Sequence, residues 1–134
     1  MNFLKNEKLL NLADLGGRIL ISLIFLLSGL MKIFQYEATK GFMEAMGTPG
    51  ILLPLVILTE VGGSLAIIFG FHTRIAAILL AGFSIISALI FHANFADQVQ
   101  MIMFLKNFAM AGGFLIIYSK GAGRYSLDAK KGRW

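Results

Sequence analysis

The chain has 134 residues, 57% of them hydrophobic and only 14% charged, with a formal net charge of +5 and a mean hydropathy of +0.79. Soluble domains are about 45–50% apolar and about 25% charged, so this composition excludes a disordered tail, a coiled coil and an independent nucleic-acid-binding domain, and it places the chain in a membrane. There is no cysteine, which removes disulfides, thiol catalysis, Cys-ligated zinc and Cys-held iron–sulfur clusters.

The first 15 residues carry Glu7 and Asp14 beside Lys5 and Lys8. The apolar run after them is long enough to span, which is not the make-up of a cleaved secretory signal. A helix needs about 20 apolar residues to cross the hydrocarbon core, and four stretches qualify. Span one is expected over 16–34, bracketed by Arg18 and Lys32. In the loop 35–50, Phe42, Met43 and Met46 fall at helical spacing, which predicts one or two turns lying on the membrane surface or capping the bundle. Gly47-Thr48-Pro49-Gly50 then breaks the pattern. Span two is expected over 51–71, with Pro54 in its first turn, where proline is tolerated, and Glu60 near its middle. The short turn Phe71-His72-Thr73-Arg74 makes a tight antiparallel hairpin into span three, 75–93, which carries no formal charge. Span four, 101–118, is interrupted by Lys106 and Asn107, and a basic tail ending in Trp134 is expected to rest on anionic headgroups. The runs are too long for strands and lack period-2 alternation. The expected fold is all-α: one integral membrane domain over 1–134, a four-helix bundle.

Nine of the 12 Lys and Arg residues fall on the side of the termini and the 71–74 turn; Lys32, Lys40 and Lys106 fall on the other. Positive charge stays in the cytoplasm, so both termini are expected inside and the 35–50 and 94–100 loops outside. Inside lipid, small residues let helices approach. Candidate stripes are Gly62, Ala66 and Gly70 on span two, Ala77, Ala81, Ser84 and Ala88 on span three, and Ala109 with Gly112 and Gly113 on span four.

Glu60 lies about nine residues, roughly 14 Å, into its span, where a charge costs at least about 2.5–3.5 kcal/mol. It must pair, take a proton or face water. Alternating span direction puts Ser28, Lys32, Glu60, His92, Lys106 and Asn107 in the same outer half of the bundle. On span one, Arg18, Ser22, Phe25, Gly29 and Lys32 share a face; on span three the small stripe runs into His92; on span four Lys106 and Gly113 share a face. These alignments predict a polar pocket centred on Glu60. Two lysines, and His92 when protonated, against one glutamate make it net positive, which favours an oxyanion, a carboxylate, a lipid headgroup or a quinone carbonyl. A structural reading stands beside this one. Lys32, His92 and Lys106 are near enough to the span ends to snorkel, and Glu60–Lys106 is then a structural ion pair. Arg18 and Arg74 are read as headgroup contacts or structural groups.

His72 and His92 are 20 residues, roughly 30 Å, apart on span three, so one chain cannot supply a bis-histidine haem site. Glu60 and His92 alone fall short of a zinc ligand set, and no metal site is expected. There is no P-loop, dinucleotide fingerprint or nucleophile elbow, so no catalytic set is assigned and any redox chemistry needs a quinone, a bound cofactor or a partner.

Taken together, Gly17-Arg18-Ile19-Leu20, Ser28-Gly29-Leu30-Met31-Lys32-Ile33, Pro54, Glu60-Val61-Gly62-Gly63, Gly70-Phe71-His72-Thr73-Arg74, Phe91-His92, Lys106-Asn107, Gly112-Gly113 and Tyr125-Ser126-Leu127-Asp128 resemble the DoxX family of small four-helix bacterial membrane proteins, close to its YqjF-type inner-membrane members. The resemblance implies an inner-membrane bundle and an association with membrane oxidoreductase systems, DoxD-type relatives looking like subunits of quinone-linked thiosulfate oxidation. Arg18, Lys32, Glu60, His92, Lys106 and Asn107 match the family's polar positions. The leading expectation is an accessory subunit that binds a quinone or small anion at Glu60, Lys106, Lys32, His92, Asn107 and Ser28. Its expected partners are membrane lipids, a redox protein and further copies of itself, with no nucleic acid. The alternatives are a carrier or sensor of a small compound that uses Glu60 for proton coupling, and a structural lipid-interacting protein.

Overall fold

The computed structural model describes residue 3 and residues 5–132, and the described residues contain helices and no strand. Arg133 and Trp134, counted above in the basic tail, lie outside them. The first helix, α1 (Glu7–Phe34), starts where the Asn6 side chain accepts from the backbone N–H groups of Lys8 and Leu9. At 28 residues and 1.5 Å per residue it is about 42 Å long. That exceeds the hydrocarbon core, so the polar turns before the expected start at 16 extend the same helix beyond it. Gln35, at φ −117° and ψ 44°, breaks the helix and turns the chain into α2 (Tyr36–Ala45). This is a ten-residue helix, longer than the turn or two expected. It docks on the start of the second span, where Gly50 has the stem of Lys40 against it.

The second crossing runs over Gly50–Phe69 in four pieces. A 3₁₀ turn, Gly50–Leu52, leads into α3 (Leu53–Ile57), with Pro54 in its first turn. A π-helical turn, Leu58–Gly62, follows and continues as α4 (Gly63–Phe69). Gly70, in the left-handed region at φ 69°, stops the helix. The hairpin to α5 (Thr73–Phe91) is as tight as the sequence implies, and it holds His72 at φ 46°. The last crossing, α6 (Gln98–Lys120), is capped by Asp97, and a one-turn helix, α7 (Leu127–Lys130), closes the tail.

Only 11–33% of each crossing's most apolar stretch is buried inside the bundle, so the greater part of each apolar surface is left for lipid. The packed centre is Phe25, Ile67, Ala77, Leu80, Ala81, Ala111 and Phe114. Phe25 meets Phe114 and Phe83 edge to face, at 5.4 and 6.4 Å between ring centres. The expected α5 stripe is buried along its length, at Ala77, Ala81, Ser84 and Ala88. On α6 the expectation is corrected. Ala109 is exposed, a Cβ on Gly112 would meet nothing, and the inward residues are Ala111 and Phe114. This helix covers the bundle with one narrow face, and Gly113 gives it close approach to Ile21 of α1.

The first turns of α1 and the tail after α6 meet at one end of the bundle, which we call the terminal end. Arg18 is 1% exposed, which corrects the headgroup reading. Its Nε pairs with Asp14 at 3.2 Å, Nη1 donates to the carbonyls of Ile67 (3.0 Å) and Ile68 (3.4 Å), and Nη2 donates to the carbonyl of Tyr125. The carbonyl acceptors lie in the last turn of α4, where Ile67 also receives the Gly70 N–H at 3.2 Å, and in the tail, so the guanidinium joins a helix end to the tail and fixes the tail in one place. Asp128 accepts from the backbone N–H groups of His72 and Thr73, both at 2.8 Å, and so caps α5. The proximal tail is thus folded under the bundle, with Lys130 and Lys131 exposed.

Candidate functional site

At the opposite, distal end α1, the second crossing, α5 and α6 part around a cavity of about 270 Å³. Its floor is Phe25, the top of the packed centre. Its roof is α2, which contributes Thr39, Phe42 and Met43; Met43 is 4% exposed, and Phe42 stacks on Phe91 at 5.6 Å. The walls are mostly apolar or aromatic, including Ile24, Val56, Phe83, Met103 and Met110.

Five of the six expected residues line this space: Ser28, Lys32, Glu60, His92 and Asn107. The sixth, Lys106, is exposed on the outer side of α6, so its expected pairing with Glu60 is replaced by another. Lys106 follows the exposed Leu105 and precedes the half-buried Asn107; on a helix with one narrow inward face, only one of two neighbours can point in. The partner of Glu60 is Lys32, whose Nζ lies 2.7 Å from Oε1. The same ammonium donates to Ser28 Oγ at 2.7 Å. The approach to Oε1 is close enough for an ion pair but poorly angled for a hydrogen bond, and that carboxylate oxygen has no hydrogen-bond partner. Glu60 is 3% exposed, whereas a quarter of the Lys32 side chain is accessible. His92 ends α5, and its Nδ1 is 2.9 Å from Gln100 Oε1, which ties α5 to the start of α6. With Lys106 outside, one lysine rather than two faces Glu60 in the cavity, with His92 also on its wall.

One feature, the π turn, escaped sequence reasoning. Glu60 sits in it, and π turns inserted in α-helices are frequent at functional sites. The hydroxyls of Thr59 and Ser64 donate to the carbonyls of Leu55 (2.8 Å) and Val61 (3.0 Å) on either side, so both hydroxyls are satisfied within the helix where lipid offers no partner. Gly29 lets α1 lie directly on this turn: a Cβ there would stand 2.6 Å from Val61 Cγ2 and 3.1 Å from Glu60 Cβ. Of the two places expected for the helical turns of the 35–50 loop, the membrane surface or a cap on the bundle, the structure takes the cap, with Phe42 and Met43 of α2 over the cavity. Arg74 is exposed at the terminal end, where it borders a shallow cleft with His72, Thr73 and Asp128. No group of three or more metal-ligating side chains occurs among the described residues.

Four apolar helices around a mostly apolar cavity that carries a buried ion pair, roofed by a short amphipathic helix, define a class of small four-helix membrane protein. The chain belongs to the DoxX family, whose model matches residues 13–93. It is 49% identical to "Inner membrane protein YqjF" of Escherichia coli over 91% of this chain and 94% of that one. It is 34% identical to "Inner membrane protein YphA" of the same organism, over 85% and 86%. A shorter match, 32% identical over 48% of each chain, is to "Putative oxidoreductase CatD" of Bacillus subtilis. No solved structure matches the chain.

Proposed function

We propose that the protein is an inner-membrane accessory subunit of an oxidoreductase system and binds a quinone head group in the distal cavity. The carrying observation is the Lys32–Glu60 pair with Ser28 on the wall of an otherwise apolar, aromatic-lined space. Small-ligand sites join a mostly apolar surface to a few placed polar groups, and a cavity whose one lysine is already paired with a carboxylate suits a neutral ring with carbonyl acceptors better than an anion. Lys32 is the donor such a carbonyl needs; Glu60 holds the ammonium in place, and Asn107 supplies an amide on the α6 wall. The oxidoreductase association draws on the partial likeness to CatD, and the inner-membrane assignment on YqjF and YphA. Native mass spectrometry of the detergent-solubilised protein with ubiquinone and menaquinone analogues tests this. Stoichiometric adducts that weaken at least tenfold in Lys32→Met support it; no adduct at saturating quinone sinks it.

A second reading, a proton-coupled carrier, is favoured by the buried carboxylate in a π turn. Phe25 and Phe114 pack edge to face in the buried centre beneath the cavity, which counts against it. Proton-driven uptake into proteoliposomes, lost in Glu60→Gln, would carry it. Full cellular function of a Glu60→Gln, Lys32→Met double variant would leave a structural, lipid-interacting role. We also place both termini in the cytoplasm. Lys5, Lys8, Lys120, Arg124, Lys130 and Lys131 crowd the terminal end, against Lys32, Lys40 and Lys106 in the distal half; C-terminal reporter fusions active only in the cytoplasm check this.

A further inference from the structure

The cavity has a wall that faces lipid. Three of its lining residues are largely exposed: Phe42 on the roof, Ile24 on α1 (53%) and Met103 on α6 (41%). Phe42 stacks on Phe91 and, with the buried Met43, roofs the distal, water-facing side. Ile24 and Met103 flank the seam between α1 and α6. These helices touch at Ile21 and Gly113. Above that contact, Ile24, Ser28 and Lys32 line the cavity from one side and Met110, Asn107 and Met103 from the other. Ile24 is ten residues from the distal end of α1 and Met103 is five from that of α6. At 1.5 Å per residue the seam opens about 8–15 Å below the distal helix ends, within the hydrocarbon.

We infer that the cavity is loaded sideways from the bilayer through a portal between α1 and α6. Its ligand is then a membrane-dissolved amphiphile, with the polar head at Lys32–Glu60 and an apolar tail left between Ile24 and Met103. The inference rests on reading the cavity as a ligand site and adds the route and the tail. A water-soluble metabolite would have to lift the Phe42–Phe91 lid, whereas a tailed molecule meets an open seam lined by a flexible Met and an Ile. The tail is isoprenoid or acyl, and both present the same chemistry to the seam.

The cysteine-free chain makes the test direct. Ser87→Cys places a unique thiol on the α5 wall of the cavity. In phosphatidylcholine proteoliposomes its labelling is followed with an alkyl maleimide dissolved in the bilayer and with a charged, water-soluble methanethiosulfonate. Each rate is normalised, to the lipid-facing Ile86→Cys and the loop Asn94→Cys respectively, both at exposed positions. The bilayer reagent is expected to label at least tenfold faster on this scale. Adding Ile24→Trp and Met103→Trp, which fill the portal from the lipid side, should slow it at least fivefold; adding Phe42→Ala should accelerate only the charged reagent. The inference is overturned if the charged reagent is as fast with the roof intact, if the tryptophan pair changes nothing, or if neither reagent reaches a thiol in protein that unfolds like wild type. Labelling needs no ligand, so failure of quinone binding leaves this result standing, and failure of the portal leaves quinone binding to be judged by its own adducts. Protection of the thiol by a decyl-tailed quinone but not by a lysophospholipid, or the reverse, separates the two tails.

Discussion

Lys32 holds two groups at once, Glu60 Oε1 and Ser28 Oγ, and Glu60 has little water to turn to. Removing one partner of a buried pair leaves the other charged and unpaired, typically at about 3–5 kcal/mol. A quarter of Lys32 is accessible, so Lys32→Met should cost about 3 kcal/mol, toward the low end of that range. Glu60→Gln on the same background should recover part of the loss. Thermal unfolding in detergent across the double-mutant cycle reads the coupling; strictly additive effects would mean that the two groups do not interact. Arg18 invites the opposite substitution. Arg18→Lys keeps the charge but not the fork that reaches Asp14, Ile67, Ile68 and Tyr125, and should cost about 2 kcal/mol or more. A melting temperature equal to wild type would return Arg18 to the headgroup role.

At the scale of the helix, glycines of one chain differ by what stands over them. A Cβ on Gly29 meets Val61 and Glu60 across the seam with the π turn, whereas a Cβ on Gly112 meets nothing within 4 Å. Gly29→Val should push α1 off the second crossing and cost about 1–3 kcal/mol by overpacking. It should also loosen the Lys32–Glu60 pair, which spans the same seam. Gly112→Ala should be neutral, or stabilising by up to about 1 kcal/mol through helix propensity. Paired thermal denaturation decides, and equal effects would contradict the packing. The helical spacing that revealed Gly29 on the inner face of α1 gave no hint of the π turn. That turn adds one residue to a ring, and its cost is offset by local hydroxyl bonds and by a neighbour's glycine.

At the scale of the whole molecule, the terminal end is closed by chain segments far apart in sequence. Asp128 caps α5, and its own N–H donates to the carbonyl of Gly70 at 2.7 Å; the Tyr125 carbonyl receives Arg18. Asp128→Ala should cost about 1–2 kcal/mol, the usual worth of an N-terminal cap. It should also make the tail beyond Lys120 cleavable by protease under conditions in which wild type resists. Resistance unchanged in that variant would mean that the tail is held by other contacts. The distal end is built the other way. Its helices part, and a ten-residue helix covers the gap, so one end is locked while the other encloses space.

From the sequence alone came the four crossings, the inward face of α1, the small stripe of α5 and the gathering of Ser28, Lys32, Glu60, His92 and Asn107 at one end. Hydropathy and helical period are local properties, and a bilayer forces every backbone polar group into a helix, so these readings needed no neighbour. Which lysine meets Glu60, where Arg18 points, which side of α6 is inside and where the tail lies were decided only by the tertiary structure. Each depends on the rotation of one helix against another, set by close approaches such as Gly29 on Val61 and Gly113 on Ile21. A rotation of one residue, about 100°, exchanges Asn107 for Lys106 at the cavity wall while leaving the hydropathy profile unchanged.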